Sequence, residues 1–410
     1  MKKILHLFTA TCVLSLTAFA FDFGGTLSND TQFYRGSADD INSLKQVDTL
    51  SVYFRTPFNE AGSMYLAAEG NVAPTYTIED LSESSDTDEF ICPIDIALLK
   101  FSDIIKLDAK TSFQISAGRF TISDATGLIV NQSADGLSFA ANTQRLNFNA
   151  YGGYTGLLNG HNTTMIAGDV EDSDNDYYYL ASPFVLASAS AYAPYLFLNQ
   201  SIGLELYATI GLKGSNGDNK DLNRYYATLS LNGPLAQNLF YTLSSTLEFM
   251  TSPEDSDLDL SKFANLSKLS VSYYIPEQYN LALSANAVYA SAKQGPFEAF
   301  SGFTSIDICN SYAAPTYDGA SGSLKMGLSA SVKPIEKLFA MLSADLVMIS
   351  KDGDTADDDQ KLEYNGFQIL ANAKYQLFTD LQIGLTMYNY FADEDDNKKF
   401  SATLNAVLSF

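Results

Sequence analysis

The chain closes on Phe400-Ser401-Ala402-Thr403-Leu404-Asn405-Ala406-Val407-Leu408-Ser409-Phe410. Phe400, Ala402, Leu404, Ala406, Leu408 and Phe410 occupy one parity, and Ser401, Thr403, Asn405, Val407 and Ser409 the other. A period of two is that of a β-strand, because successive side chains leave opposite faces of the chain. The same dyad recurs upstream. Leu381, Ile383, Leu385 and Met387 alternate with Gln382, Gly384 and Thr386; Leu324 to Val332 alternate with Ser323 to Ser331; Leu204, Leu206, Ala208 and Ile210 oppose Glu205, Tyr207 and Thr209. No stretch of comparable length keeps a helical period.

The connections between these strands are of two kinds, and they alternate. Short ones, such as Gly233–Gln237, Pro276–Tyr279, Pro334–Lys337 and Phe378–Asp380, take turns with long polar ones at 251–259, 351–359 and 392–398. A soluble sandwich has no reason to sort its turns in this way, whereas a transmembrane barrel has tight periplasmic turns at one end and surface loops at the other. The strands expected on that basis run 22–34, 46–57, 63–77, 95–105, 111–120, 136–142, 145–156, 177–192, 197–212, 223–232, 238–249, 265–275, 280–292, 321–332, 338–350, 362–376, 381–391 and 399–410. The fold class is therefore all-β, a closed antiparallel transmembrane barrel of about 18 strands, with 16 also compatible. Both chain ends fall on the periplasmic side.

Composition agrees. The 410 residues carry 24 Lys and Arg against 48 Asp and Glu, a formal charge of −24, with 52 Tyr and Phe but no Trp. Such acidity excludes a general nucleic-acid binder, which needs clustered cations to neutralise phosphates. Lys2 and Lys3, the apolar run Ile4 to Thr17, and Ala18-Phe19-Ala20 form a secretory signal peptide over residues 1–20, leaving 21–410 as a single barrel domain. No mature segment offers the roughly 20 apolar residues that a membrane helix requires; the nearest, 182–198, is broken by Pro183 and Pro194.

A signal peptide, dyad strands, sorted turns and a terminal Phe resemble the Gram-negative outer-membrane β-barrels of porin type. The likeness covers the whole mature chain. It implies that Leu404, Ala406, Leu408 and Phe410 are the signal read by the barrel assembly machinery. It also implies a setting in outer-membrane lipid and lipopolysaccharide, with small solutes as cargo. A shorter stretch, Gly118-Arg119-Phe120 followed by Asp124, Gly127 and Asp135-Gly136, is similar to a strand-loop-strand segment of substrate-selective porins. That likeness marks Arg119, Asp124 and Asp135 as candidate constriction residues. With Trp absent, the interfacial girdle falls to Tyr and Phe, with Tyr177 to Tyr179, Tyr225, Tyr273, Tyr388 and Tyr390 as candidates.

The charge divides into two populations. More than half of the acids lie in six runs within long connections, among them Glu79 to Glu89, Asp169 to Asp176, Asp352 to Asp359 and Asp393 to Asp396. None has the twelve-residue spacing of a Ca²⁺ loop, so they read as solvated surface, and no metal or cofactor is expected. On the wall, strand parity turns Arg55, Lys100, Arg145, Arg224, Lys268, Lys325 and Lys374 inward, joined by Glu69, Glu205, Glu248 and Asp345. A charge aimed at lipid costs about 2–4 kcal/mol at the midplane, which favours the lumen for each of them. Arg119 breaks the rule by sharing parity with Phe113 and Ile115: either the strand ends by Gly118, or a bulge turns the side chain inward.

The longest connection, 293–320, is aromatic rather than acidic and is expected to fold against the barrel mouth or into the lumen. Cys92 and Cys309 fall in surface loops in an oxidising location, where a disulfide across the pore and two separate thiols are both compatible with the spacing. The lone mature histidine, His161, has no neighbouring nucleophile motif, so enzymatic chemistry is not expected. Passive or weakly selective diffusion of small hydrophilic solutes is the leading reading. A loop-displaying adhesion barrel and a hydrophobic-substrate transporter are the alternatives. Sequence leaves the oligomeric state open, a homo-oligomer included.

Overall fold

A computed structural model describes residues 21–36, 42–79, 81, 88–165, 175–212, 223–251, 260–293, 297–304, 322–351, 361–392 and 399–410. The segment read as a signal peptide, most of the acidic runs and Cys309 lie outside the described residues. Twenty strand segments follow one another: β1 (Asp22–Gly36), β2 (Asn42–Pro57), β3 (Met64–Val72), β4 (Thr75–Ile78), β5 (Asp88–Ile91), β6 (Ile94–Lys106), β7 (Ser112–Ser123), β8 (Asn131–Asn142), β9 (Asn147–Tyr154), β10 (Phe184–Phe197), β11 (Gln200–Gly211), β12 (Asn223–Ala236), β13 (Leu239–Thr251), β14 (Ala264–Ile275), β15 (Leu281–Ala290), β16 (Ser323–Ile335), β17 (Leu338–Lys351), β18 (Lys361–Gln376), β19 (Leu381–Ala392) and β20 (Lys399–Ser409).

These twenty segments make eighteen staves. Segments β3 and β4 both pair with β2, on successive halves of it, and are separated only by Ala73-Pro74. Segments β5 and β6 follow the same stave line on the other side and are separated by Cys92-Pro93. Proline lacks the N–H that a ladder needs, so the two interruptions fall side by side and stay bonded: Ala73 N donates to the Pro93 carbonyl at 3.0 Å, and Asp48 N to the Pro74 carbonyl at 3.0 Å. Every ladder is antiparallel, and β1 pairs with β20 from Thr26↔Ser409 to Gly36↔Lys399, closing the ring. Phe410 extends that seam, its N and O bonding Gly25 at 3.0 and 2.9 Å.

The expected eighteen-strand count and both chain ends at one rim agree with this architecture. Turns at that rim are tight. Leu198 and Asn199 both have positive φ, 47° and 60°, the pairing that lets a two-residue turn match the strand twist. The largest displacement of a boundary is at 177–192: the strand runs Phe184–Phe197 instead. Pro183 marks the start, and residues before it are taken by other partners, Cys92 N donating to the Asp176 carbonyl and Ile94 N to that of Tyr177.

The outer face is apolar and exposed, as Leu204, Leu206, Leu328, Leu342, Leu404 and Leu408 show. The expected girdle needs one correction. Tyr388 and Tyr390 are buried, and their register with Ser401 and Lys399 puts them on the inner face. The parity of Ile383, Leu385 and Met387 already required this, because residues one step along a strand point the other way. Tyr177 and Tyr178 are exposed in the β9–β10 connection, and Tyr273 is exposed on the outer face.

Candidate functional site: a folded hairpin within the barrel

Segment β7 stays paired to β6 only as far as Leu99↔Arg119, and β8 to β9 only as far as Asp135↔Tyr154. Beyond those points β7 and β8 pair solely with each other, to Ser123↔Asn131. The bend sits at Gly118 and Gly136, which face one another across the ladder. Gly118 has φ +119°, and a Cβ there would strike the Leu99 carbonyl; a Cβ on Gly136 would strike the backbone of Gly152. Only glycine allows that backbone angle and that approach. The hairpin therefore leaves the wall.

It goes inward, since its tip touches staves that are not its neighbours. Ala125 N donates to Glu205 Oε2 of β11 at 2.6 Å, and Lys268 Nζ of β14 donates to the Thr126 carbonyl at 3.2 Å. Asp124 organises the tip: its Oδ1 accepts from the N–H groups of Ile129 and Val130 at 2.9 Å each, and its Oδ2 from Thr126 N and hydroxyl. Asp124 was a candidate for the constriction surface; it is instead buried and saturated by the turn it shapes.

The aromatic connection comes in from the other side. Its described part, 297–304, runs beside the tip, with Phe303 N and Thr304 N donating to the Ile129 carbonyl at 2.9 and 3.1 Å and Asn131 N donating to the Thr304 hydroxyl at 3.0 Å. Glu248 Oε2 accepts from Ser301 N at 2.8 Å, and the Tyr226 hydroxyl donates to the Ser301 carbonyl at 2.8 Å. Phe300 and Phe303 are buried with Ile129, Val130, Phe184, Leu186, Tyr207, Tyr226 and Leu266 in one apolar cluster. Of the two places expected for this connection, against the barrel mouth or into the lumen, its described part takes the second.

The two loops divide the inner wall. Phe120, Ile122, Val130 and Ala134 on one face of the hairpin pack toward β9–β15, as the edge-on contact of Phe120 with Tyr151 shows. Its other face carries Arg119, Thr121 and Ser123 opposite Asp135, Ser133 and Asn131. That face is open to solvent at Thr121, Ser123 and Asn131. Arg119 bridges the gap: Nη1 lies 3.5 Å from Asp95 and 3.2 Å from the Ile96 carbonyl, while Nη2 donates to the Leu157 carbonyl at 2.6 Å and to Asp135 at 2.8 Å. The parity conflict over Arg119 is thereby resolved. A side chain of lipid-side parity leaves the lipid face once its hairpin folds into the barrel, and Arg119 is enclosed there by Asp95, Asp135 and the Ile96 and Leu157 carbonyls.

The wall charges sort by the same division. Glu205, Arg224, Glu248 and Lys268 are on the packed side, Arg224 Nε 3.9 Å from Glu248 Oε1. Lys325 and Asp345 face each other at 3.7 Å, and Asp345 accepts from Gln368 Nε2 at 2.8 Å. Lys100 stands 5.2 Å over the ring of Phe120, against the apolar face of the hairpin, and Arg55 lies 4.0 Å over the Tyr65 ring; register puts Glu69 and Lys374 on the inner surface as well. Arg145 does not join them. It sits exposed in the rim turn between β8 and β9, because β9 begins only at Asn147. Sequence reasoning passed over Asp95, although its place between the exposed Ile94 and Ile96 carries the same parity signal.

Cys92 is half-buried at the β5–β6 break. His161 packs edge-on against Tyr179 at 4.6 Å, with Nε2 2.8 Å from the Asn175 carbonyl. Among the described residues no group of three or more His, Cys, Asp or Glu is disposed to hold a metal ion.

The barrel as a whole has counterparts among solved structures. A BenF-like porin from Pseudomonas fluorescens Pf-5 superposes with a TM-score of 0.63 at 10% identity, covering 95% of this chain and 98% of that one. The fold is that of an outer-membrane porin. OccK7 (OpdD) of Pseudomonas aeruginosa gives 0.60 at 10% identity, and OpdK of the same organism, solved with vanillate, gives 0.58 at 10%, each covering 95% of this chain and 98% of the other. No family model matches the sequence, and no curated protein does either.

Proposed function

We propose that the protein is an outer-membrane channel through which small hydrophilic solutes diffuse passively or with weak selectivity. One observation carries this reading: the hairpin seals its apolar face against β9–β15 and leaves Thr121, Ser123 and Asn131 of its other face open to solvent. Eighteen staves enclose an interior wide enough for water, and a polar surface across it narrows that interior without drying it. Solutes would pass between this surface and the inner wall of β1–β6 and β16–β20, beside Arg55, Glu69, Lys100 and Lys374.

Selectivity should be mild. Arg119 stands between two carboxylates, Lys325 is paired, Glu205, Glu248 and Lys268 hold the loops and Arg224 faces Glu248, so the unbalanced wall charge is the modest excess of Arg55, Lys100 and Lys374 over Glu69. The likeness to porins supports the same setting, in outer-membrane lipid facing lipopolysaccharide, and assembly through the terminal strand Leu404, Ala406, Leu408 and Phe410. Phe300 and Phe303 are consumed in packing and offer no track for an apolar substrate, which argues against a hydrophobic-substrate transporter.

Planar-bilayer recording tests the proposal. Discrete conductance steps, with a reversal potential near zero or slightly anion-favouring in a salt gradient, are expected. Absence of steps, or strong cation preference, would overturn it.

A further inference from the structure

The lipid-facing surface is mostly apolar; Ser245, Asn265 and Ser267 interrupt it on β13 and β14, and a patch that holds a carboxylate interrupts it on β1 and β2. On β1 and β2, Asn29 lies directly opposite Asp48, and Thr31 opposite Gln46. Their parity is that of Leu27 and Leu50, both exposed, and Asn29 pairs on its other side with Ala406, whose strand neighbours Leu404 and Leu408 are exposed as well. These four polar side chains therefore project outward.

They also lie inside the apolar band. Phe23 and Phe54 pair on the outer face toward the rim with the chain ends, and Phe33 contacts Phe400 at 6.4 Å toward the loops. Asn29 and Asp48 are between these aromatic levels. Within the apolar band two described carboxylates have outward parity, Asp103 between Phe101 and Ile105 on β6 and Asp48; Asp48 is the one set in a cluster of polar side chains, and Arg35 lies beyond Phe33 toward the loops. An ionisable group at that depth is costly and calls for polar partners.

Part of the need is met internally. Asn29 Nδ2 donates to Asp48 Oδ1 at 2.7 Å, Gln46 Nε2 to Asp48 Oδ2 at 3.0 Å, and the Thr31 hydroxyl to Asn29 Oδ1 at 3.2 Å. Each carboxamide retains an N–H, and each carboxylate oxygen retains acceptor capacity. Lipid tails can satisfy neither. A second patch of the same kind can satisfy both, because donors and acceptors are present together and a two-fold axis sets one copy's amides against the other's carboxylate. Ala402 and Ala406 beside the patch leave room for close approach.

We propose that this face of β1, β2 and β20 is where two copies of the chain associate in the plane of the membrane. Conduction through each barrel is independent of it, so failure of this inference and failure of the channel reading separate.

The full chain in mild detergent should show the mass of a dimer by size-exclusion chromatography with light scattering. Asn29→Leu with Asp48→Leu should halve that mass, while the unheated gel shift of a folded barrel and the unitary conductance are retained. In a Cys92→Ser, Cys309→Ser background, Leu27→Cys or Leu50→Cys should cross-link on oxidation in native outer-membrane vesicles. Leu328→Cys, exposed on β16, should not. A monomeric wild type, equal cross-linking at positions 27 and 328, or a leucine pair that leaves the mass unchanged would overturn the proposal. Should the leucine pair fail to fold, the cross-linking pattern alone decides.

Discussion

Arg119 and Asp135 meet across the inward hairpin as a two-point ion pair, Nε to Oδ1 at 2.9 Å and Nη2 to Oδ2 at 2.8 Å. The pair lies one residue past Gly118 and one before Gly136, where the hairpin parts from the wall. The same guanidinium reaches Asp95 on β6. It ties the base of the hairpin to itself and to the stave it has left. Two parallel hydrogen bonds fix orientation as well as distance.

Arg119→Ala should therefore loosen the hairpin as a unit. Removing the cation leaves Asp95 and Asp135 facing each other. Because the group is only partly buried, the expected cost is about 2 kcal/mol, below the ~3–5 kcal/mol of a fully buried pair. Thermal melting should fall, and single-channel traces should become larger and noisier. Arg119→Lys should recover stability only in part, since an ammonium cannot make the fork.

Glycine substitutions separate the bend from the tip. Gly118→Ala forces a side chain into a positive φ and into the Leu99 carbonyl, so the hairpin must move. A lower melting temperature and a changed conductance should appear together. Gly127 also has positive φ (67°) but open space around it. Gly127→Ala should cost only the conformational term, about 1–2 kcal/mol, with conductance near that of the wild type.

Phe303 and Phe297 come from one connection but differ in burial. Phe303 is fully enclosed, edge-on to Phe184 at 5.1 Å, whereas Phe297 is 36% exposed. Phe303→Ala should cost about 3–5 kcal/mol and make 297–304 susceptible to limited proteolysis. Phe297→Ala should do markedly less in the same assay.

Neighbouring residues on one stave should respond in opposite ways to charge. Leu328 is 68% exposed on the outer face, and Ser329, paired with Ser343 and Ser284, points inward. Leu328→Arg should lose about 2–4 kcal/mol of folding free energy in vesicles. Ser329→Arg should fold normally and shift the reversal potential toward anions.

Phe410 should matter more to assembly than to the finished barrel. Its backbone extends the seam with Gly25, and its ring lies beside that glycine. Phe410→Ala is expected to reduce the folded fraction in outer-membrane preparations while leaving the melting temperature of refolded protein little changed.

The staves were legible because alternation is local. Leu404, Ala406 and Leu408 against Thr403, Asn405 and Val407 declare a two-sided strand with no knowledge of its neighbours, and turn length sorts the two rims. Tyr388 and Tyr390 show how little margin that logic leaves: assigned by residue type to the girdle, they obey the parity of Ile383 and Met387 and point inward. Arg145 shows the limit at boundaries, where one turn residue decides whether a cation belongs to the wall or the rim.

What sequence alone determined, then, was a closed barrel of about 18 staves, with 16 still compatible, and the inward parity of most wall charges, all consequences of a repeat that each strand carries by itself. What only the tertiary structure decided was the division of the lumen. Glu205, Glu248 and Lys268 hold their loops across distances of 53 to 142 residues, and no local pattern encodes a partner so remote. The inversion of Arg119 has the same origin: two glycines facing each other on adjacent strands turn a wall segment into a crossbeam, and the meaning of its faces changes with it.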